Sequence, residues 1–220
     1  MAGRHIVAMG GAGLDTALDE YILGLARGRN VCFVGTASND SPEYLIRFYA
    51  RYAPIAEATH LSFFPWPPAN LREYVLAQDV VYVGGGNTAN MLAVWRVHGL
   101  DRVLVEAWES GIVLCGSSAG MICWFEAGVT DSFGPQLEGM RDGLGLIPGS
   151  ACPHYDGEEL RRPRYRELVD SGFPAGWAAE DGVGLHFAGV ELAEVVTVLP
   201  GKRAYRVEPG SETPLEARLL

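Results

Sequence analysis

Four short apolar runs in this chain each end on a glycine-led turn, and three of the turns are rich in glycine or serine. They are Ile6-Val7-Ala8-Met9 into Gly10-Gly11-Ala12-Gly13, Val31-Cys32-Phe33-Val34 into Gly35-Thr36-Ala37-Ser38, Val80-Val81-Tyr82-Val83 into Gly84-Gly85-Gly86-Asn87-Thr88, and Ile112-Val113-Leu114-Cys115 into Gly116-Ser117-Ser118-Ala119-Gly120. Segments with helical periodicity follow them. Apolar runs of strand length with no alternation are what a sheet covered by helices on both faces requires. The expected fold class is therefore α/β, a mostly parallel sheet flanked by helices. Expected strands are 6–9, 31–34, 59–63, 80–83 and 112–115, with helices near 15–27, 42–52, 70–77, 88–97, 102–109 and 119–125. In open α/β sheets ligands bind beyond the carboxyl ends of the strands, so the four turns are expected to gather around one crevice.

After about residue 127 the pattern loosens. Gly134-Pro135, Pro148-Gly149 and Pro153 punctuate short segments before a helix near 158–171. Strands at 183–187, 194–199 and 203–207, separated by Gly189 and Pro200-Gly201, read as a small C-terminal antiparallel extension. With 220 residues and neither an internal repeat nor a low-complexity linker, the expectation is one domain spanning 1–220.

Charge narrows the partners. Seventeen basic against 27 acidic side chains leave a formal charge of -10, which repels nucleic-acid backbones and anionic membrane surfaces. No apolar run approaches the roughly 20 residues that span a bilayer. The first residues lack the pattern of a signal peptide, so a cytoplasmic location is expected. Cys32, Cys115, Cys123 and Cys152 show no C-x-x-C and no metal-ligand spacing with histidine, and are expected to be reduced core thiols, with no metal and no cofactor.

The chemistry concentrates in Ile112 to Met121, an apolar strand, a G-x-S-x-G turn and then a helical segment. That context suits a nucleophile elbow, with Gly116 and Gly120 flanking Ser118 symmetrically; Ser117 lacks this symmetry. The competing reading is a Gly/Ser-rich turn without chemistry. The turn also sets the Ala119 N–H at a helix N-terminus, where a donor and the dipole favour an oxyanion. Gly84-Gly85-Gly86-Asn87-Thr88 brings further bare N–H groups, so Gly85, Gly86 and Ala119 are the candidate oxyanion hole and Asn87 a candidate substrate contact. A P-loop is excluded, since no Gly-Lys-Ser/Thr follows and Lys202 is the chain's only lysine. Gly11-Ala12-Gly13-Leu14-Asp15-Thr16 is read as a loop rather than a dinucleotide fingerprint, because threonine stands where the last small residue belongs.

A serine nucleophile needs a base oriented by a third group. Four of the five histidines have bland readings: His5 and His60 lie in strands, His98 meets a helix C-terminus, and His186 sits in an apolar run. His154, in Cys152-Pro153-His154-Tyr155-Asp156, ends an apolar segment and enters a loop, as a base at the crevice would. For the orienting carboxylate, Glu180 and Asp181 share one turn before a strand and the residues alone do not choose between them.

Taken in order, Val83-Gly84-Gly85-Gly86-Asn87-Thr88, Gly116-Ser117-Ser118-Ala119-Gly120 and Cys152-Pro153-His154-Tyr155-Asp156 resemble the peptidase E and cyanophycinase family of serine peptidases, over residues 80 to 188. The resemblance implies a fold similar to class I glutamine amidotransferases and a triad ordered Ser, His, Glu along the chain. Carried onto this sequence it implies Ser118, His154 and Glu180, with Asp181 as the alternative acid. With serine at the nucleophile position, glutamine hydrolysis is not expected. The implied function is a serine exopeptidase acting on short peptides, dipeptides with N-terminal aspartate first. The alternatives are a cyanophycinase-like or esterase hydrolase with the same triad and a non-catalytic amidotransferase-like binding module. An aspartate pocket needs a cation, and Arg161, Arg162, Arg164 and Arg166 are nearest to His154 in sequence. The competing reading for them is a solvated helix face. Asp131 lies where the family carries an acidic residue near its active site. The expected partners are a short peptide substrate and, for assembly, a second copy in a homodimer, with neither nucleic acid nor membrane.

Overall fold

A computed structural model describes residues 3–11 and 16–220. Ala12 to Asp15, which include the centre of the glycine loop after the first strand and the expected start of the first helix, lie outside the described residues. The strands are β1 (His5–Met9), β2 (Asn30–Val34), β3 (Glu57–Leu61), β4 (Val80–Val83), β5 (Val113–Ser117), β6 (Phe125–Thr130), β7 (Glu138–Met140), β8 (Ile147–Cys152), β9 (Gly176–Ala179), β10 (Val183–Ala188), β11 (Glu191–Thr197), β12 (Arg203–Glu208), β13 (Ser211–Glu216) and β14 (Arg218–Leu219). The helices are α1 (Thr16–Leu25), α2 (Pro42–Tyr52), α3 (Leu71–Leu76), α4 (Thr88–His98), α5 (Leu100–Glu109), α6 (Ala119–Ile122) and α7 (Arg161–Asp170).

Eight strands form the main sheet in the order β14-β11-β10-β1-β5-β4-β2-β3. From β1 to β3 every neighbouring pair is parallel, and β10 and β11 extend the sheet antiparallel beyond β1. Side chains alternate across this sheet as the pleat requires. Val7 and Met9 of β1 pack with Leu18 and Ile22 of α1 and Phe48 and Tyr52 of α2. Ile6 and Ala8 face the other way, among Leu92 and Trp95 of α4 and Leu104 of α5. Both faces are dry, which is why these strands read as continuous apolar runs. The chain is of the mixed α/β class.

Three expectations change. The C-terminal strands do not form one meander, because β10 and β11 join the main sheet while β12 and β13 enter a second, six-stranded sheet ordered β13-β12-β9-β8-β6-β7. That second sheet also draws its other strands from the stretch after 127 where the pattern loosened. Its core includes Ala127, Val129, Cys152, Ala178 and Val207, closed by Tyr165 and Val169 of α7. Finally, the helix expected over 119–125 stops at Ile122. Trp124 and Phe125 are fully buried, and Phe125 pairs with Ile147 of β8, so a short apolar run that helical pattern alone cannot distinguish from strand is claimed by sheet.

All four cysteines are buried and unpaired. Burial pushes the thiols of Cys32 and Cys152 up to about 12 and those of Cys115 and Cys123 well above the ordinary range, which keeps them protonated and inert. Among the described residues no helix is long and apolar enough to cross a membrane.

Candidate active site

Ser118 closes the turn between β5 and α6 with φ +59° and ψ -113°, a conformation rare for any residue but glycine. The turn fits because its flanking residues lack side chains. A Cβ on Gly116 would lie 2.6 Å from both the Gly120 and Val83 carbonyl oxygens, and one on Gly120 would lie 2.2 Å from Val83 O. The elbow is further pinned where the Ser118 N–H donates to Met9 O at the end of β1, at 3.2 Å. Strain held by the surrounding structure in this way is characteristic of a functional position.

The turn after β4 runs beside the serine. A Cβ on Gly85 would come within 3.3 Å of Ser118 Cβ and 3.7 Å of its Oγ. Gly84 donates to Val34 O and Asn87 to Ala37 O, while the Gly85 and Gly86 N–H groups between them make no hydrogen bond among the described residues. Two bare donors therefore lie in a turn that lines the cleft with the serine, Gly85 next to it, and Ala119 N, the first N–H of α6, follows Ser118 in the chain. Because α6 has only four residues, its contribution is that N–H itself rather than a summed helix dipole.

His154 follows β8 and also has positive φ, +53°. Its N–H donates to Gly10 O at 3.1 Å, so the end of β1 anchors the histidine as it anchors the serine. The His154 Nδ1–H donates to Asp181 Oδ1 at 2.7 Å, with side chains 24% and 42% exposed. Asp181 is seated by its neighbours. A Cβ on Gly11 would lie 1.9 Å from Oδ1 and one on Gly157 2.3 Å from Oδ2, so the carboxylate occupies room that only glycines leave. Its own N–H donates to Asp156 Oδ1 at 3.0 Å, and the other Asp156 oxygen pairs with Lys202.

Glu180, the acid implied for the triad, turns the other way. Its Oε1 accepts from the Tyr205 hydroxyl at 2.8 Å and its Oε2 from Arg203 N at 3.1 Å, which ties it to β12. The cause is the alternation of side chains along an extended chain. Asp181 bridges to Gly11 at the end of β1, so Glu180, one residue earlier, faces the second sheet.

Ser118 and His154 line one cleft of about 280 Å³ with Ser117 and the Gly84, Gly85 and Gly86 turn. A further wall is α2, where Tyr44, Arg47, Phe48 and Arg51 fall at i, i+3, i+4 and i+7 and so share a face. Phe33, Tyr52 and Tyr82 complete the aromatic lining. Arg51 is neutralised by the fully buried Asp19, donating from Nε at 3.0 Å, and Tyr52 also donates to Asp19. This wall was not foreseen in the sequence, where the 44/47/48/51 spacing was the available signal.

The other expected substrate contacts lie elsewhere. Arg161 is buried, with its guanidinium on Glu158 and on Val129 O. Arg162 pairs with Glu212 and lies over the Tyr155 and Tyr205 rings. Asp131 is exposed and does not line the cleft. The Asn87 side chain caps α4 by accepting from Asn90 N at 2.8 Å and donates to Ser132 O at 2.9 Å, so both of its polar ends are engaged.

A strained serine and a histidine bonded to a carboxylate line one cleft with the glycine turn after β4. The family model of peptidase family S51 matches residues 6–195. The chain belongs to that family. It is a serine-type peptidase, and the resemblance to peptidase E drawn from the order of its motifs holds. Members similar to it include the uncharacterized peptidase YgaJ of Bacillus subtilis (strain 168), 45% identical over 230 residues and covering 99% of both chains. Peptidase E of Streptomyces coelicolor is 30% identical over 176 residues, covering 71% of this chain and 67% of its own. In fold the chain is similar to a peptidase from an acI-B1 Actinobacterium, with a TM-score of 0.74 at 18% identity, over 98% of this chain and 95% of that one.

Proposed function

We propose that this peptidase is an exopeptidase for short peptides, with dipeptides carrying an N-terminal aspartate as the leading substrates, working through Ser118, His154 and Asp181. The observation that carries the reading is the 2.7 Å bond from His154 Nδ1 to Asp181, which fixes the ring at the cleft that Ser118 lines. In this arrangement Nδ1 keeps its proton and Nε2 is the basic nitrogen. His154 Nε2 takes the Ser118 hydroxyl proton as Oγ attacks the scissile carbonyl, and returns it to the leaving amine. A water then repeats the sequence on the acyl-enzyme. Asp181 holds the tautomer and stabilises the imidazolium. The Gly85, Gly86 and Ala119 N–H groups are the donors for the tetrahedral oxyanion.

The aspartate preference draws its support from the resemblance and from the relative named peptidase E, not from Arg161 or Arg162, which are engaged away from the cleft. The test is amino acid release from X-Leu dipeptides, with X including Asp, Glu, Asn, Ala and Arg, for the wild type beside Ser118→Ala. Turnover confined to Asp-Leu and lost in the variant is expected. Turnover that survives in Ser118→Ala, or a wild type that prefers neutral or cationic residues, contradicts the reading.

A further inference from the structure

The cleft differs in charge from the molecule around it. The chain carries a net charge of -10, yet among the described residues no carboxylate lines the cleft, whose basic side chains are Arg47, Arg51 and His154. Two of these three have carboxylate partners, Arg51 on Asp19 and His154 on Asp181. Arg47 has none within ion-pair distance among the described residues. Glu43, one helical turn earlier, feels the Arg47 charge but is bound by the Ser41 hydroxyl. An arginine kept exposed on a wall without competing acid presents a planar fork that matches a carboxylate.

We infer that Arg47 is the specificity-determining residue of this site, binding a carboxylate of the peptide substrate from the α2 wall of the cleft that Ser118 lines. The inference rests on the proposed peptidase reading and supplies the cation that reading lacks once Arg161 and Arg162 are accounted for. Tyr44, one turn before Arg47 and 39% exposed, gives the same wall an aromatic surface against which the rest of the ligand packs. The carboxylate belongs either to a substrate side chain or to the peptide's C-terminus, and paired ligands separate the two.

The experiment is calorimetric titration of the full-length Ser118→Ala protein with Asp-Leu, Asn-Leu and Asp-Leu amide, repeated in Ser118→Ala/Arg47→Ala and Ser118→Ala/Arg47→Lys. Circular dichroism checks that each variant is folded. Asp-Leu is expected to bind about ten- to a hundredfold more tightly than one of its two neutral counterparts, the size of a charge-assisted hydrogen-bonded contact. Asn-Leu as the weak member assigns the side-chain carboxylate, and Asp-Leu amide the C-terminal one. Arg47→Ala is expected to lower the affinity of Asp-Leu, and of whichever neutral ligand keeps the recognised carboxylate, to that of the weak member, whose own affinity stays unchanged, and Arg47→Lys to restore part of the preference. An equal affinity for all three ligands, undetectable binding of Asp-Leu, or a preference that survives Arg47→Ala overturns the inference. Dipeptide turnover by the protein with Ser118 intact is read separately. Arg47-dependent binding without turnover sinks the peptidase mechanism alone, and turnover with no dependence on Arg47 sinks the anion site alone.

Discussion

Strand β1 has a histidine relay near each end, and the two have little else in common. At its carboxyl end His154 donates to Asp181 and stands part-exposed in the cleft that Ser118 also lines. Toward its amino end His5 and His186 join a chain of polar groups. Tyr21 donates to Glu194 Oε2 at 2.9 Å, so its oxygen accepts from His186 Nδ1 at 2.7 Å, and His186 Nε2 accepts from His5 Nδ1 at 2.9 Å. His186 is 6% exposed on β10. Burial first, and His5 second, pull its pKa down to about 4 against the opposing effect of Glu194. A hydrogen-bonded histidine beside a tyrosine and a glutamate is therefore a structural strut here. A cleft, a strained serine and spare backbone donors are what separate the first relay from the second.

Removing the serine should separate the two most sharply. Ser118→Ala is expected to lower kcat/KM on the cleaved dipeptide by at least about a thousandfold with an unchanged Tm, whereas His186→Asn should leave kcat/KM nearly intact and lower Tm. Within the cleft relay, Asp181→Asn should cost roughly a hundred- to ten-thousandfold in kcat by leaving the imidazole in the wrong tautomer. Glu180→Gln should cost less than about tenfold, because its bonds run to Tyr205 and Arg203. Equal losses from the two acids would undo the assignment of Asp181. Gly11→Ala tests the seat of that carboxylate, since the new methyl would overlap Asp181 Oδ1. Kinetics and thermal melts should show a loss of roughly tenfold or more in kcat that exceeds any change in stability.

The smallest expected effect on catalysis comes from the buried relay. Its histidine has a folded pKa of about 4 against 6.5 unfolded, so the unfolded chain binds the proton first as pH falls. Stability from this group is complete above about pH 6.5 and is lost progressively down to about pH 4. Chemical denaturation between pH 4 and 7.5 should show that slope in the wild type and a shallower one in His186→Asn.

How much was legible in advance follows the range of the interactions involved. The glycine-ended strands and the Ser118 elbow were readable because an apolar run and the glycines of a tight turn are local facts. The second sheet was not, since β8 reads Ile-Pro-Gly-Ser-Ala-Cys and becomes a strand through pairing with the distant β6 and β9. The choice between Glu180 and Asp181 depends on which of two adjacent side chains faces Gly11, some 170 positions away. Arg161 and Arg162 lie beside His154 in sequence, but packing turns them toward Val129 and Glu212. Helix α2, more than a hundred residues from His154, supplies the cleft wall instead.

The central claim is that Ser118 is the nucleophile activated by the His154–Asp181 pair. Labelling the intact protein with a fluorophosphonate and locating the adduct by peptide mass spectrometry tests it most directly. One adduct on Ser118 is expected, absent in Ser118→Ala and formed much more slowly in His154→Ala and Asp181→Asn. An unlabelled Ser118, an adduct on another residue, or labelling indifferent to His154 would contradict it.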